Sequence, residues 1–207
     1  MRTIVVTGTD TDVGKTVFAA ALAGALGAAY WKPVQAGLDD GSDRERVASL
    51  SGLPDRKLLP EAFRLATACS PHRAAEMEGL VINPARLALP PHENCLVVEG
   101  AGGVLVPVTR ELLFVDLFAR WHEPVILVAR TALGTINHSL MSIEALKRRN
   151  VPILGIAFVG EAIEDTEATI AAIGEVKRLG RLPLLPALDR DTLASAFARN
   201  FNLEDFR

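Results

Sequence analysis

Short, uninterrupted apolar runs are the most regular feature of this chain. Strands that are covered by helices on both faces show this pattern, whereas half-exposed strands alternate apolar and polar residues. Each run is far shorter than a helix that crosses a membrane. We predict strands at 3–7, 28–34, 95–99, 125–130 and 153–159, with a weaker one at 182–186.

Helical patterns lie between several of these runs. Residues 16–26 are rich in alanine and stop at Gly27, a residue that commonly ends helices. Residues 112–122 and 135–149 each place their large apolar side chains on one face, as amphipathic helices do. Strands that alternate with helices predict a doubly wound α/β fold, with a mostly parallel sheet and helices on both faces.

The segment 36–94 is less regular and contains several prolines and glycines. We interpret it as an elaborated connection on the same sheet, with short helices near 43–51 and 84–89. Since no polar linker or internal repeat divides the chain, we predict a single domain over residues 1–207.

Composition narrows the possible functions. The net charge is −3, whereas proteins that bind nucleic acid or membrane surfaces without specificity usually carry a basic face. We therefore expect neither a nucleic-acid nor a membrane partner. The N-terminus lacks the apolar core of a secretion signal, and the two cysteines have no metal-binding spacing. These features predict a cytoplasmic protein with reduced cysteines.

The strongest chemical signal is GTDTDVGKT at 8–16, between the first predicted strand and the first helix. In this context, backbone N–H groups and the helix N-terminus form a cradle for phosphates. Lys15 would contact the β- and γ-phosphates, and the Thr16 hydroxyl would bind Mg²⁺. The match to G-x-x-x-x-G-K-[ST] is imperfect, because Thr9 stands where the first glycine belongs and Gly8 precedes it. A glycine-rich turn with an exposed lysine is the alternative, but the strand–helix context favours a nucleotide-binding P-loop.

Three further charged residues are candidates for the same site. Glu99 follows a buried strand and could hold Mg²⁺ directly or through water, or it could simply end the strand. Lys32 ends another strand and could stabilise a transferring phosphoryl group, although a solvated lysine is the simpler interpretation when it is taken alone. Asp43 lies in Ser42-Asp43-Arg44-Glu45, a capping-box pattern, so it is either a metal ligand or a residue that favours a helix N-terminus.

Six motifs follow one another along the chain, namely GTDTDVGKT, WKPVQAG, GSD with Asp43, SPH at 70–72, VEGAGG, and LGTINHSL at 133–140. In these motifs and their order the chain resembles the dethiobiotin synthase family over about residues 3–160. The resemblance implies a P-loop ligase (a cyclo-ligase) of biotin synthesis that acts as a homodimer. Its substrates would be 7,8-diaminopelargonate, CO₂ or bicarbonate, and ATP, with Mg²⁺ as cofactor. A substrate carbamate would be activated by the γ-phosphoryl group, and the second amine would close the ureido ring.

The resemblance also implies roles for individual residues. Lys15 and Lys32 would be catalytic, and Thr16, Asp43 and Glu99 would hold Mg²⁺. The residues expected to contact the nucleotide are Asp12, Val13, Gly14, Lys15, Thr16, Val17, Glu99, Gly100, Ala101 and Gly102. Those expected to contact the organic substrate are Thr11, Lys32, Ala36, Gly134, Thr135 and Asn137, the last three at a helix start that receives the substrate carboxylate across the dimer interface.

Three departures from the family pattern affect these expectations. Asp12 stands where the family often has glutamate, and Ala36 stands where serine or threonine is usual. Val159 and Gly160 occupy the place of an Asn-Asp pair whose asparagine reads adenine. We therefore expect loose discrimination among nucleotide bases, and we expect the resemblance to fade beyond residue 160.

Two other P-loop classes are alternatives. A cobyrinate-type synthase would need a glutaminase partner, and the chain supplies no nucleophile for one. A cell-division ATPase would usually carry an extra lysine early in the P-loop, where this chain has Thr9, Asp10 and Asp12. The synthase interpretation accounts for more of the motifs.

Overall fold

The structure is a computed structural model that describes residues 1–206. Residue 207, the last of the predicted domain, lies outside the described residues. The strands of the described part are β1 (Arg2–Gly8), β2 (Ala29–Trp31), β3 (Val34–Ala36), β4 (Phe63–Leu65), β5 (Cys95–Gly103), β6 (Val125–Arg130), β7 (Ile153–Val159) and β8 (Arg178–Leu182). Its α-helices are α1 (Lys15–Leu26), α2 (Asp43–Ser51), α3 (Pro71–Met77), α4 (Phe114–Trp121), α5 (Thr135–Lys147), α6 (Glu164–Gly174) and α7 (Arg190–Asn200).

Six strands form one sheet in the order β2-β5-β1-β6-β7-β8, and every neighbouring pair is parallel. The strands β3 and β4 form a separate two-stranded parallel sheet. The prediction of a doubly wound, mostly parallel α/β fold is confirmed. Because the strands are parallel, their carboxyl ends share one edge, which is where open α/β sheets bind ligands.

The sheet is buried on both faces, as the continuous apolar runs predict. Along β1, Val5 joins one apolar cluster, whereas Ile4 and Val6 join the other. Helices α1, α2 and α7 cover the face that contains Ile4 and Val6, and α4, α5 and α6 cover the opposite face. Each large apolar side chain that is fully buried in this way contributes about 1.5–3 kcal/mol.

The C-terminal residues contribute to the first of these clusters. Phe201 stacks on Phe197 of α7 with ring centroids 4.6 Å apart and contacts Phe18 of α1 edge-on at 5.4 Å. Phe206, in a closing 3₁₀ turn, packs against the same rings. These residues therefore help to hold α1, and with it the P-loop, against the sheet.

Several predicted elements differ from the observed ones. The predicted strand at 28–34 divides into β2 and β3, since Pro33 has no N–H to offer a ladder. The weak strand at 182–186 is misplaced, because β8 ends at Leu182 and is followed by prolines. The predicted strand at 95–99 continues to Gly103, and the helix near 84–89 is a short 3₁₀ turn at Pro84–Leu87. Helices α3, α6 and α7 and strand β4 were not predicted.

No helix within residues 1–206 is both long and apolar enough to cross a membrane.

Candidate active site

The P-loop joins β1 to α1 through two residues with positive φ, Asp12 at 55° and Gly14 at 92°. A Cβ at Gly8 would lie 2.7 Å from Cγ2 of Val13 and 2.9 Å from Cδ of Lys15. Glycine is therefore required at position 8 by close packing beneath the loop, which explains why Gly8 rather than residue 9 is the first glycine. The Lys15 side chain is buried and its Nζ donates to the carbonyl oxygen of Asp10 at 2.6 Å.

Two carboxylates and a lysine converge beside this loop. Thr16 Oγ1 donates to Glu99 Oε1 at 2.8 Å and lies 3.0 Å from Asp43 Oδ1. Lys32 Nζ lies 2.6 Å from Asp43 Oδ2 and 3.1 Å from Glu99 Oε1. Glu99 is fully buried and Lys32 is 4% exposed, so neither is a solvated strand-end residue.

The sequence left Asp43 as either a metal ligand or a residue that favours a helix N-terminus, and the structure shows how the two are related. The N-cap of α2 is Ser42, whose side chain accepts from Glu45 N, while the Glu45 carboxylate accepts from Ser42 N. Asp43 is the first residue of α2, and its carboxylate points at Thr16 and Lys32. The capping box and the site contact therefore coexist, because different side chains make them.

These contacts set the protonation of the charged groups. Burial, together with the neighbouring Lys32, lowers the pKa of the Lys15 ammonium to about 8. Burial also disfavours the charged Lys32, but Glu99 and Asp43 outweigh it and hold the Lys32 pKa above its usual value. For Asp43, the effect of burial is outweighed by Lys32 and Thr16, so its pKa is lowered.

A cavity of about 640 Å³ opens onto this cluster at the carboxyl edge of the sheet. Most predicted site residues line it, namely Thr11, Asp12, Gly14, Lys15, Thr16, Val17, Lys32, Ala36, Asp43, Glu99, Ala101 and Gly102. Val13 instead packs in the apolar core, and Gly100 is buried beneath the cavity wall.

The remaining predicted substrate residues lie elsewhere. Gly134 is the N-cap of α5 with φ of 91°, Thr135 is buried, and Asn137 is exposed. None of the three lines the cavity of its own chain.

Four polar residues of the cavity lining and one buried neighbour were not predicted from the sequence. Gln35, Arg46, Cys69 and Ser70 line the cavity, and Tyr30 donates to Glu99 Oε2 at 2.8 Å. The spacing of Tyr30 and Lys32, two residues apart in the strand predicted at 28–34, was an available signal, since residues spaced by two along a strand share a face. Gln35 accepts from Asp43 N at 3.1 Å and so fixes the start of α2.

The oxygen donors of this cluster fit Mg²⁺. Among residues 1–206 there is no group of three or more His, Cys, Asp or Glu side chains that could hold a metal alone. Thr16, Asp43 and Glu99 supply two carboxylates and a hydroxyl, which are hard donors of the kind that Mg²⁺ prefers when phosphates and water complete its shell.

Comparison with known proteins extends these observations. A family model described as an AAA domain matches residues 2–192. The ATP-dependent dethiobiotin synthetase BioD of Novosphingobium aromaticivorans is 65% identical over 206 residues, covering 100% of both chains. The enzyme of the same name from Rhodopseudomonas palustris is 62% identical and covers 98% of this chain and 95% of its own. Both alignments continue well beyond residue 160, where we expected the resemblance to fade.

Solved structures with the same fold are more distant in sequence. The cell-division ATPase MinD of Pyrococcus furiosus has a TM-score of 0.56 at 16% identity, covering 94% of this chain and 88% of its own. MinD of Pyrococcus horikoshii, solved with Mg-ADP, has a TM-score of 0.56 at 14% identity, covering 94% and 86%. At this identity the likeness shows the P-loop fold alone.

Proposed function

The chain belongs to the ATP-dependent dethiobiotin synthetases, and on that basis we propose that it converts 7,8-diaminopelargonate, CO₂ and ATP into dethiobiotin with the help of Mg²⁺. It is an ATP-dependent ligase. The observation that carries the proposed chemistry is the convergence of Lys32, Asp43 and Glu99 on Thr16 beside the P-loop, inside a cavity large enough for a triphosphate and a small diamine.

The proposed reaction has three steps. One substrate amine attacks CO₂ and loses a proton, which forms a carbamate. The carbamate oxygen attacks the γ-phosphorus and releases ADP, which forms a mixed carbamic–phosphoric anhydride. The second amine then attacks the carbamate carbon, so that phosphate leaves and the ureido ring closes.

The residues of the site support this sequence by charge and position. Lys15 neutralises the β- and γ-phosphates, and Lys32 stabilises the charge on the carbamate and the transferring phosphoryl group. Thr16, Asp43 and Glu99 would hold Mg²⁺, which when bound neutralises the phosphate oxygens. Since phosphoryl transfer depends mainly on positioning and charge, no side chain is required to act as a nucleophile.

The nucleotide and the organic substrate would occupy neighbouring parts of the site. Asp12, Gly14, Val17, Ala101 and Gly102 line the cavity, and we assign them to the nucleotide. Thr11 and Ala36 line the side that we assign to the diamine.

We assign the substrate carboxylate to the N-terminus of α5 in a second copy of the chain. Gly134, Thr135 and Asn137 do not line the cavity of their own chain, whereas free N–H groups at a helix start bind anions. The proposed enzyme is therefore a homodimer, and we place it in the cytoplasm with its small-molecule substrates.

The test is direct detection of the product. Purified protein is incubated with the diamine, ¹³C-bicarbonate, Mg²⁺ and ATP, and the labelled ureido carbon is sought by mass spectrometry. Lys15→Ala should reduce turnover by about 10²–10³-fold or more, as loss of a preorganised charge contact does. Lys147→Ala, an exposed lysine that pairs with Glu175, is the control and should retain turnover. ATP hydrolysis without labelled product would reject the proposed reaction.

A further inference from the structure

Tyr30 is a fully buried tyrosine that contacts Glu99 of the candidate metal site from the protein interior. Its side chain is 0% exposed, and its hydroxyl donates to Glu99 Oε2 at 2.8 Å. Tyr30 does not line the cavity, so it cannot itself touch a nucleotide there. None of the roles above uses this hydrogen bond to Glu99.

The register of the sheet explains the contact. Strand β2 runs parallel to β5 with Tyr30 opposite Val97, so Glu99 lies two residues further along the neighbouring strand. Tyr30 and Lys32 are two residues apart and face the same layer as Glu99, whereas Trp31 packs in the opposite layer. Strand β2 and the residue that follows it thus supply a donor to each carboxylate oxygen, Lys32 to Oε1 and Tyr30 to Oε2.

The chemistry of the phenol keeps it a donor. Burial and the neighbouring Glu99 raise the pKa of Tyr30 well above its usual value, so the hydroxyl keeps its proton. A buried carboxylate oxygen without this donor would lack a hydrogen-bond partner, and the Glu99 side chain would be free to reorient towards the cavity.

We propose that Tyr30 is a positioning residue of the metal site, whose hydroxyl restrains Oε2 of Glu99 and leaves Oε1 as the single oxygen directed at Thr16 and the cation. This inference rests on the metal site of the proposed function. A carboxylate that offers one oxygen suits the octahedral shell of a small cation, whereas Ca²⁺ readily takes both oxygens of a carboxylate. Tyr30 would therefore favour Mg²⁺ or Mn²⁺ over Ca²⁺.

The test uses Mn²⁺ as a probe that electron paramagnetic resonance can detect. Mn²⁺ affinity is measured in the ATP complex of the full chain, without the diamine. Tyr30→Phe keeps the ring and removes only the hydroxyl, and we expect it to weaken Mn²⁺ binding about tenfold, as loss of such outer contacts typically does. Ca²⁺ should also compete better against Mn²⁺ than in the wild type. Thr3→Val, which removes a buried hydroxyl from the far end of β1, is the control and should change neither value.

A double-mutant cycle shows whether Tyr30 acts through Glu99. In a Glu99→Gln background, the added Tyr30→Phe change should alter Mn²⁺ affinity less than about twofold. If Tyr30→Phe alone does not fold, Glu99→Gln and the double variant can still be compared with each other. The neutral amide of the Glu99→Gln variant carries no buried charge that requires a hydrogen bond from the phenol. A tenfold loss that persists in the Glu99→Gln background would overturn the proposal. So would a folded Tyr30→Phe protein with wild-type affinity and cation preference.

Because the readout needs no turnover, it separates this inference from the proposed reaction. A negative product assay together with the expected Tyr30 dependence would reject the diamine as substrate and leave the role of Tyr30 standing.

Discussion

Lys15 and Lys32 are two buried ammonium groups in one cavity whose pKa values are shifted in opposite directions. Lys32 lies against two carboxylates, which keep it charged. The Nζ of Lys15 contacts a backbone carbonyl, and burial brings its pKa to about 8. Of the two, Lys15 is therefore the one that loses its charge as the pH rises through about 8.

The protonation of Lys15 predicts how kcat/KM for ATP falls at alkaline pH, the alkaline limb of the pH profile. As pH rises above about 8, the free enzyme loses the ammonium that binds phosphate, so kcat/KM for ATP should fall. The slope should approach about tenfold per pH unit for one proton. Bound phosphates favour the charged form, so the limb in kcat should lie at higher pH. Initial rates over a pH series at constant free Mg²⁺ measure both profiles.

Lys15→Arg is the matched variant for this limb. A guanidinium does not lose its proton in this range, so the residual kcat/KM of Lys15→Arg should stay level where the wild type declines. An unchanged limb in Lys15→Arg would assign the titration to another group.

Helix α2 links local capping to the metal site. Its first residue is Asp43, and its N-cap Ser42 is buried with both capping-box bonds formed. Removal of that cap frees the first turn of the helix, which carries the carboxylate. Stability and metal dependence should therefore change together.

Ser42→Ala should lower the free energy of unfolding by about 1 kcal/mol. In a chain of this size that corresponds to a fall in Tm of about 2–4 °C, and the Mg²⁺ concentration for half-maximal rate should rise. Ser49→Ala, on the exposed side of the same helix, is the control and should change stability by less than about 0.5 kcal/mol. Thermal unfolding and Mg²⁺ titration measure the two effects. Equal changes in both variants would show that the cap does not support Asp43.

The end of β7 bears on the choice of nucleotide base. Gly160 N donates to Leu182 O at 3.0 Å, and Gly160 O accepts from Arg181 at 2.9 Å. These backbone groups already have partners, and Val159 offers no polar group at the place where the family resemblance implies an asparagine that reads adenine. A site without a matched donor and acceptor separates bases poorly.

We therefore predict that kcat/KM for ATP, CTP, GTP and UTP differs by no more than about tenfold. Val159→Asn restores an amide at this place and should increase the preference for ATP. Steady-state kinetics with the four triphosphates test both statements. A preference of several hundredfold for ATP in the wild type would show that other groups read adenine.

If α5 of one chain completes the active site of another, turnover requires the dimer. Leu133, next to Gly134, and Met141, in the middle of α5, are both exposed apolar residues. Exposed apolar side chains on and beside one helix suit a contact between copies.

Leu133→Glu combined with Met141→Glu should yield monomers that bind ATP normally but lose turnover. Ile173→Glu, an equally exposed apolar position on α6, is the control and should keep both the assembly and the rate. Sedimentation velocity with activity measured across the boundary tests the prediction. Full activity in the monomer fraction would contradict the shared site.

Features that depend on neighbouring residues were predictable from the sequence. The uninterrupted runs indicated β1, β6 and β7, because a strand covered on both faces needs apolar residues at every position. The P-loop and the Ser42 capping box are set within a few residues. Helix α6 was not predicted because Glu167 on its buried face interrupts the apolar pattern. The Glu167 carboxylate pairs with Arg178 and Arg181, and these two charged residues interrupt the apolar pattern of β8 in the same way.

Contacts between distant parts of the chain required the folded protein. Tyr30 meets Glu99 across 69 positions and Thr16 meets Glu99 across 83, because parallel pairing of β2, β5 and β1 brings their carboxyl ends to one edge. The order of strands follows from how the two apolar faces are covered, which no local pattern specifies. That order places Lys32 beside Asp43 and Glu99, and these contacts give Lys32 and Lys15 their different pKa values.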